Sequence, residues 1–190
     1  MLTNYLRNCE VRFAGVKPSL FFGEAVKGWD LTFSGNTITA ITPDEVGDAM
    51  QEFQADINTV QFTSEGEWSK SGFETQTLTA RFSTASTELD ESIKNLKKAL
   101  PCGVFVIYID NNKNGWLVGL AKSDEDFYND YFRTLTTNYT TGMSIEDVDE
   151  GNTLNIELSR MAATSKYKLD SDLTASILDG TATFIDFATA

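Results

Sequence analysis

Apolar and polar residues alternate along several stretches of this 190-residue chain, which is the pattern of β-strands with one buried face. Residues 29–42 read WDLTFSGNTITAIT, in which Trp29, Leu31 and Phe33 share one face and a Ser-Gly-Asn turn separates two alternating segments. Residues 104–118 place two apolar runs, VFVIYI and WLV, on either side of the link DNNKNG. Both stretches predict β-hairpins, and in the second we expect Asn114-Gly115 to supply the positive φ of the turn.

The longest extended prediction covers about residues 50–82. In MQEFQADINTVQF, Phe53, Ala55 and Ile57 lie on one face of a strand. The polar residues of the same stretch lie on the opposite face: Glu52, Gln54, Asp56 and Asn58. After Thr59 the apolar phase slips by one residue, which predicts a β-bulge. The segment TSEGEWSKSG supplies a turn and FETQTLTARF returns, so we predict a long antiparallel ribbon with one apolar face and one polar, acidic face.

One amphipathic helix is predicted over about residues 87–100, in the segment TELDESIKNLKKAL. Its apolar stripe consists of Leu89, Ile93, Leu96 and Leu100, at spacings of four, three and four residues. Acidic residues in the first turn and lysines in the last turn suit the helix dipole, and Pro101 marks the end. The stripe most simply packs on the sheet.

These elements predict a mainly β (α+β) protein, namely an antiparallel β-sandwich or barrel with one flanking helix. Two later segments add strands: one turns Leu154, Ile156 and Leu158 inward, and the other is the final GTATFIDFATA. A chain of 190 residues is most simply a single domain. Residues 1–28 carry scattered apolar residues and three glycines, which indicates an N-terminal arm of irregular structure or short strands.

Charge and composition narrow the function. The 28 acidic and 15 basic residues give a net charge of -13, and such a surface repels nucleic acid and anionic membranes. The chain has no histidine, which removes the usual general base and the commonest transition-metal ligand. Its two cysteines, Cys9 and Cys102, make no disulfide framework. No apolar run approaches the roughly 18 residues of a membrane span. We therefore predict a protein without catalytic activity or cofactor.

Two groups of oxygen ligands invite a metal-site hypothesis. Asp110, Asn112 and Asn114, followed by glycine, match the opening of a calcium-binding loop, but the twelfth position, which needs a carboxylate, is Ala121. The hairpin interpretation is favoured there. Asp147 and Asp149 are the central members of a carboxylate cluster that also includes Glu146 and Glu150, but acidic turn residues exposed to water are far commoner than metal sites. We predict no metal, with Asp147 and Asp149 as weak candidates.

The order of these elements resembles that of bacteriophage tail tube proteins. The resemblance extends from Trp29 to Leu158 and includes the first hairpin, the ribbon, the helix, the second hairpin and the later segment DVDEGNTLNIEL. It implies a β-sandwich or barrel whose copies form hexameric rings that stack into a hollow tube in the virion. It also implies assembly in the host cytoplasm, contacts with other virion proteins, no membrane partner, and DNA only as a repelled, non-specific cargo.

The resemblance assigns roles to two sets of residues on the ribbon. The acidic face would line the lumen, with Glu52, Gln54, Asp56 and Asn58 as lumen-facing candidates. The turn would contact the next ring, with Glu65, Glu67, Trp68 and Lys70 as inter-ring candidates. Copies would assemble by edge pairing of the ribbon.

Other hypotheses remain open at the level of sequence. The chain could be a different head-tail or neck component of a virion, or a non-catalytic β-sandwich binding module. A carbohydrate-binding module would use exposed aromatic residues such as Trp68 or Trp116, and an enzyme would have to act through carboxylates alone. Exposed strand edges distinguish a ring subunit from a monomeric sandwich, because a monomer must protect its edges.

Overall fold

A computed structural model gives the structure of the protein and describes residues 19–56, 59–65, 74–82, 87–110, 112–120, 131–140, 153–162 and 166–187. Within these ranges the chain is mainly β, with strands in two sheets and two α-helices. The mainly β prediction is confirmed. The prediction of a single flanking helix is wrong, because a second helix follows near the C-terminus.

The larger sheet has eight strands and is curled. In chain order these are β1 (Ser19–Glu24), β2 (Trp29–Ser34), β3 (Thr37–Pro43), β4 (Met50–Gln54), β7 (Val104–Ile109), β8 (Gly115–Val118), β11 (Tyr167–Leu169) and β12 (Ile185–Asp186). Their spatial order is β12-β4-β1-β7-β8-β11-β3-β2. Two pairs, β11–β3 and β12–β4, are parallel, so the expectation of purely antiparallel sheets is wrong. Each parallel pair joins strands that are far apart in sequence. The sequence pattern of a hairpin indicates only antiparallel neighbours, so it does not predict these pairs.

The smaller sheet has four strands and is antiparallel throughout. It contains β5 (Gln61–Glu65), β6 (Glu74–Phe82), β9 (Thr134–Thr140) and β10 (Thr153–Ala162), in the spatial order β5-β6-β10-β9. The inward positions predicted for β10, Leu154, Ile156 and Leu158, are buried, which confirms that strand.

Strand β1 lies inside the larger sheet, between β4 and β7. Leu20 and Phe22 pack into a hydrophobic cluster on one face, and Phe21 packs into a second cluster on the other face. A strand covered on both faces has no alternating pattern, so periodicity does not distinguish it from an irregular segment. Residues 19–24 thus form a short strand inside the sheet, which is the second of the two alternatives for this segment, and not an irregular arm.

The predicted ribbon over residues 50–82 is divided between the two sheets. Strand β4 belongs to the larger sheet, whereas β5 and β6 form a hairpin in the smaller one. The chain changes sheets after Gln54, where the Asp56 amide donates to the Arg81 carbonyl at 2.7 Å. The apolar phase slip near Thr59 thus accompanies a change of sheet and not the β-bulge we expected. Changing sheets alters which side of the chain faces the core.

Two hydrophobic clusters fill the interior. The first combines residues of both sheets with the buried stripe of α1 (Thr87–Ala99), which confirms the predicted helix. The second lies on the other face of the larger sheet, inside its curl, and includes Ile177 of α2 (Ser171–Leu178). The Asp170 side chain caps α2 by accepting from the Asp172 amide. This eight-residue helix is short, and its capping aspartate was the sequence signal that could have revealed it.

Both predicted hairpins are present, formed by β2 with β3 and by β7 with β8. In the second turn the positive φ of 61° belongs to Lys113, so its placement at Asn114-Gly115 is wrong. Gly115 is required for a different reason: a Cβ there would lie 2.7 Å from the Thr174 hydroxyl oxygen and 2.9 Å from Leu169 Cδ1. The hairpin therefore packs closely against α2 and β11.

This geometry predicts opposite responses at two neighbouring positions of the hairpin. Gly115→Ala should lower the free energy of unfolding by about 1–3 kcal/mol, because the added methyl overlaps α2 and β11. Lys113→Gly should stay within about 1 kcal/mol of the wild type, because relief of the left-handed conformation offsets the added chain entropy of glycine. Urea unfolding of the two variants measures both effects, and a tolerated Gly115→Ala would contradict the close packing.

Candidate functional site

The smaller sheet ends in two strands, β5 and β9, each paired on one side only among the described strands. Strand β9 has the sequence TLTTNYT, which contains neither a charged residue nor proline. Thr134, Thr136 and Asn138 on this strand are exposed. Monomeric proteins usually protect such an edge with lysine, proline or a bulge. Strand β9 therefore has the composition of an edge that accepts another strand.

One apolar row crosses the buried face of the smaller sheet from edge to edge. The register pairs Phe62 with Leu78 and pairs Leu158 with both Leu78 and Leu135. Leu78 and Leu158 are buried, whereas Phe62 on β5 and Leu135 on β9 are only partly buried. The row is thus incomplete at both edges, and a strand added at either edge would continue it.

The opposite face of the smaller sheet is mainly polar and rich in hydroxyl groups, with Met161, 66% exposed on β10, as an apolar exception. Its members alternate with the buried positions along all four strands: Gln61, Thr63, Glu65, Thr75, Thr77, Thr79, Arg81, Thr134, Thr136, Asn155, Glu157 and Ser159. We call this surface the hydroxyl face. Sequence reasoning missed it as a functional candidate, although the spacing of Thr75, Thr77 and Thr79 gives a clear period of two.

The four residues expected to line a lumen do not form an exposed surface. Glu52 is 2% exposed and accepts from the Ser19 hydroxyl at 2.6 Å. Asp56 is 6% exposed, and its carboxylate lies 3.4 Å from Arg81 Nε. The expected exposure of Glu52 and Asp56 is wrong. Glu52 lies on β4, which runs between β1 and β12 with both of its faces covered. Asp56 lies in the connection that follows β4, where it is buried beside Arg81. Gln54 is partly buried, and Asn58 lies outside the described residues.

Most of the inter-ring and metal candidates lie outside the residues that the structure describes. Of the inter-ring set, Glu65 is exposed at the end of β5, and Glu67, Trp68 and Lys70 lie outside the described residues. The weak metal candidates Asp147 and Asp149 also lie outside them. Within the part of the chain that the structure describes, no group of three Asp, Glu, Cys or His side chains is placed to hold a metal ion.

The motif that suggested calcium is a turn organised by Asp110. One carboxylate oxygen accepts from the amides of Asn112 and Asn114, at 2.8 and 2.9 Å, and the other accepts from Trp116 Nε1 at 2.9 Å. Burial by itself would raise the pKa of Asp110, but the hydrogen bonds from Trp116, Asn114 and Asn112 lower it below its ordinary value. The carboxylate thus acts as the acceptor that shapes the hairpin.

The Trp116 ring belongs to an aromatic group around Lys166. Lys166 Nζ lies 3.9 Å from the Trp116 ring centroid, and 5.7 and 5.9 Å from those of Phe62 and Tyr108. Burial, followed by the negative charge of Asp110, raises the pKa of the Tyr108 hydroxyl. Because a cation covers the Trp116 ring and Asp110 accepts its N–H, this tryptophan is poorly suited to stack on a sugar.

No protein-family model, curated protein or solved structure matches this chain. None of the helices in the described ranges is long and apolar enough to cross a membrane.

The lowered pKa of Asp110 predicts a pH-dependent contribution to stability. Its ionised form is stabilised in the folded state, so the contribution is complete above the unfolded pKa near 4 and is lost as pH falls through the lower folded pKa. Asp110→Asn should destabilise the protein by about 1–2 kcal/mol at pH 7, because charged acceptors make strong hydrogen bonds. The deficit should shrink as pH falls below about 4.

Denaturant unfolding from pH 7 toward pH 2 measures this deficit. Asp30→Asn is the matched control, because Asp30 is exposed and forms no hydrogen bond or ion pair through its side chain among the described residues. Its effect should be small and should change little with pH. An Asp110→Asn deficit of constant size over the whole range would contradict the assignment.

Proposed function

We propose that this protein is a structural subunit that assembles with copies of itself through the edges of the smaller sheet, as a tail-tube-like component of a phage virion. The observation that carries the proposal is a pair of edge strands, β5 and β9, each with a strand partner on one side only among the described strands of one antiparallel sheet. The resemblance in the order of elements supports the same function. Its partners would be further copies of the chain and other virion proteins.

The strand directions suit repeated pairing. In the order β5-β6-β10-β9 every neighbour is antiparallel, so β5 and β9 run in opposite directions. When copies are related by rotation about an axis along the strands, β9 of one copy meets β5 of the next in an antiparallel pair. Such a head-to-tail contact uses two different surfaces and closes into a ring when the rotation permits. The resemblance to tail tube proteins implies six copies in each ring.

The apolar row supports this pairing energetically. Edge pairing would place Leu135 of one copy beside Phe62 of the next, and both side chains are partly exposed in the single chain. Burial of these side chains adds to the backbone hydrogen bonds of the new strand pair. The apolar layer would then continue from copy to copy beneath a continuous sheet.

In a ring of this kind the hydroxyl face is our proposed lumen. The larger sheet is covered on both faces by the two clusters, and together the sheets form a sandwich whose polar sheet face belongs to the smaller sheet. The face combines threonine hydroxyls and the carboxylates of Glu65 and Glu157 with Arg81, whose Nε lies 3.4 Å from the Asp56 carboxylate, so we expect a neutral to acidic wall. A protein of net charge -13 repels phosphate. The lumenal role thus passes from Glu52 and Asp56 to this face.

Lysines on the β9 edge should prevent assembly. Thr134→Lys and Thr136→Lys together place two charges on exposed positions of this edge, where they obstruct the addition of another strand. We expect wild-type rings or tubes in negative-stain electron microscopy and single subunits for this variant, at concentrations where light scattering detects wild-type assembly.

The matched control is Thr75→Lys with Asn155→Lys. These substitutions add the same charge to exposed positions on β6 and β10, which are interior strands of the same sheet. The control should assemble like the wild type. A wild-type protein that stays monomeric at every concentration, or an edge variant that assembles as well as the control, would refute edge assembly.

A further inference from the structure

Two loops meet at one end of the larger sheet and expose two valines. Val46 is fully exposed, and Val26 is 67% exposed. The loops are joined by an ion pair of 2.8 Å between Lys27 and Asp48 and by a hydrogen bond from the Asp44 amide to the Gly28 carbonyl. We call residues 25–28 and 44–48 the valine tip.

The valine tip is held in place and not merely extended into solvent. A Cβ at Gly28 would collide with the Asp44 carboxylate, so the two loops are in close contact. The Trp29 indole donates to the Glu24 carbonyl at 2.9 Å and anchors the start of β2 beside the tip. The tip therefore presents Val26 and Val46 on a backbone that is held by specific contacts.

The tip is acidic around its valines. Asp44 and Glu45 directly precede Val46, and neither forms an ion pair among the described residues. Asp48 is neutralised by Lys27. A partner for this surface should therefore offer cations beside a recess that is apolar in part.

The opposite end of the larger sheet offers such a recess. A cavity of about 360 Å³ there has a mixed lining, in which Leu169, Ala175 and Leu178 are the apolar residues and Thr37, Asn114, Ser171, Thr174, Lys113 and Lys168 are polar or cationic. We call it the lysine cavity. Lys113 and Lys168 are exposed and form no ion pair within the described ranges. The one acidic residue of the lining, Asp170, accepts from the Asp172 amide as the cap of α2.

Strand β3 connects the two surfaces. Its first residue, Thr37, lines the lysine cavity, and its last residue, Pro43, immediately precedes the valine tip. Seven extended residues span about 20 Å, so a chain does not insert its own tip into its own cavity. We propose that the valine tip of one copy docks in the lysine cavity of the next, with Val46 in the recess and Asp44 and Glu45 beside Lys113 and Lys168.

This contact is head-to-tail and is distinct from edge pairing. Hydrogen bonding between strands extends an assembly sideways, whereas the tip and the cavity lie at the two ends of a strand. The inference rests on the proposed function, because it supplies the contact that joins one ring to the next. Two different surfaces that do not close on themselves generate an open stack.

The test uses the edge-blocked protein, Thr134→Lys with Thr136→Lys, in which edge pairing does not contribute. Sedimentation velocity at low salt should show concentration-dependent head-to-tail oligomers of this parent. Val46→Asp should weaken the association by about tenfold or more, because an apolar contact is lost and a charge is added. Lys113→Glu with Lys168→Glu should do the same. Met161→Asp is the control, since Met161 is 66% exposed on the smaller sheet, and it should associate like the parent.

Mixing provides the decisive measurement. The Val46→Asp protein keeps an intact cavity and the Lys113→Glu, Lys168→Glu protein keeps an intact tip, so a mixture contains one compatible junction. We expect each variant to be monomeric and the equimolar mixture to form dimers and nothing larger. A monomeric parent, variants that associate like the parent, or a mixture without dimers would overturn the proposal. Inorganic phosphate bound through Lys113 and Lys168, without self-association, would identify a small-anion site instead and would also overturn it.

In the protein without the Thr134→Lys and Thr136→Lys substitutions, the proposed function and the tip contact have different readouts, so the failure of one is distinguishable from the failure of the other. Loss of rings in the edge variant tests the proposed function. Val46→Asp should leave rings intact but unstacked in electron micrographs, so rings that still stack into tubes would exclude the tip contact alone.

Discussion

The structure depends on the burial of both faces of the larger sheet. Strand β1 directs Leu20 and Phe22 into one cluster and Phe21 into the other, and β7 directs alternate apolar side chains to the same two clusters. Both layers must be covered, and the smaller sheet with α1 covers one while the curl of the larger sheet and α2 cover the other. Hydrophobic burial at this sheet therefore determines where every other element packs.

This constraint also determines how polar residues are used. Glu52, on the covered strand β4, accepts from the Ser19 hydroxyl, and Asp56, in the connection after β4, pairs with Arg81. In the smaller sheet Arg160 donates from Nε to Gln76 at 2.8 Å, and these two residues are direct register partners of β10 and β6. A slip of one residue would separate this buried pair and turn the apolar row outward, so the pair and the row together specify the register.

Because the larger sheet is covered, the smaller sheet carries the features suited to assembly. It combines an apolar row that is incomplete at both edges, an uncharged edge strand and a polar outer face. These features point in different directions. A strand added at either edge would extend the sheet sideways, whereas the hydroxyl face lies on the side of the sheet away from the core. In the assembly that we propose, the ends of β3 would supply a third direction through the valine tip and the lysine cavity. A subunit with separate contacts in two directions has what a stacked assembly requires.

Local patterns in the sequence determined the helix at residues 87–99, both hairpins, the inward face of β10 and the mainly β class, because each follows from the spacing of apolar residues within one segment. They did not determine which sheet a strand joins. The ribbon over residues 50–82 is divided between sheets, β1 is central, two strand pairs are parallel, and Glu52 is buried. Only the tertiary structure decided these points, because strand partners and covered faces depend on residues far apart in the chain, whereas periodicity reports only that one side of a segment is apolar.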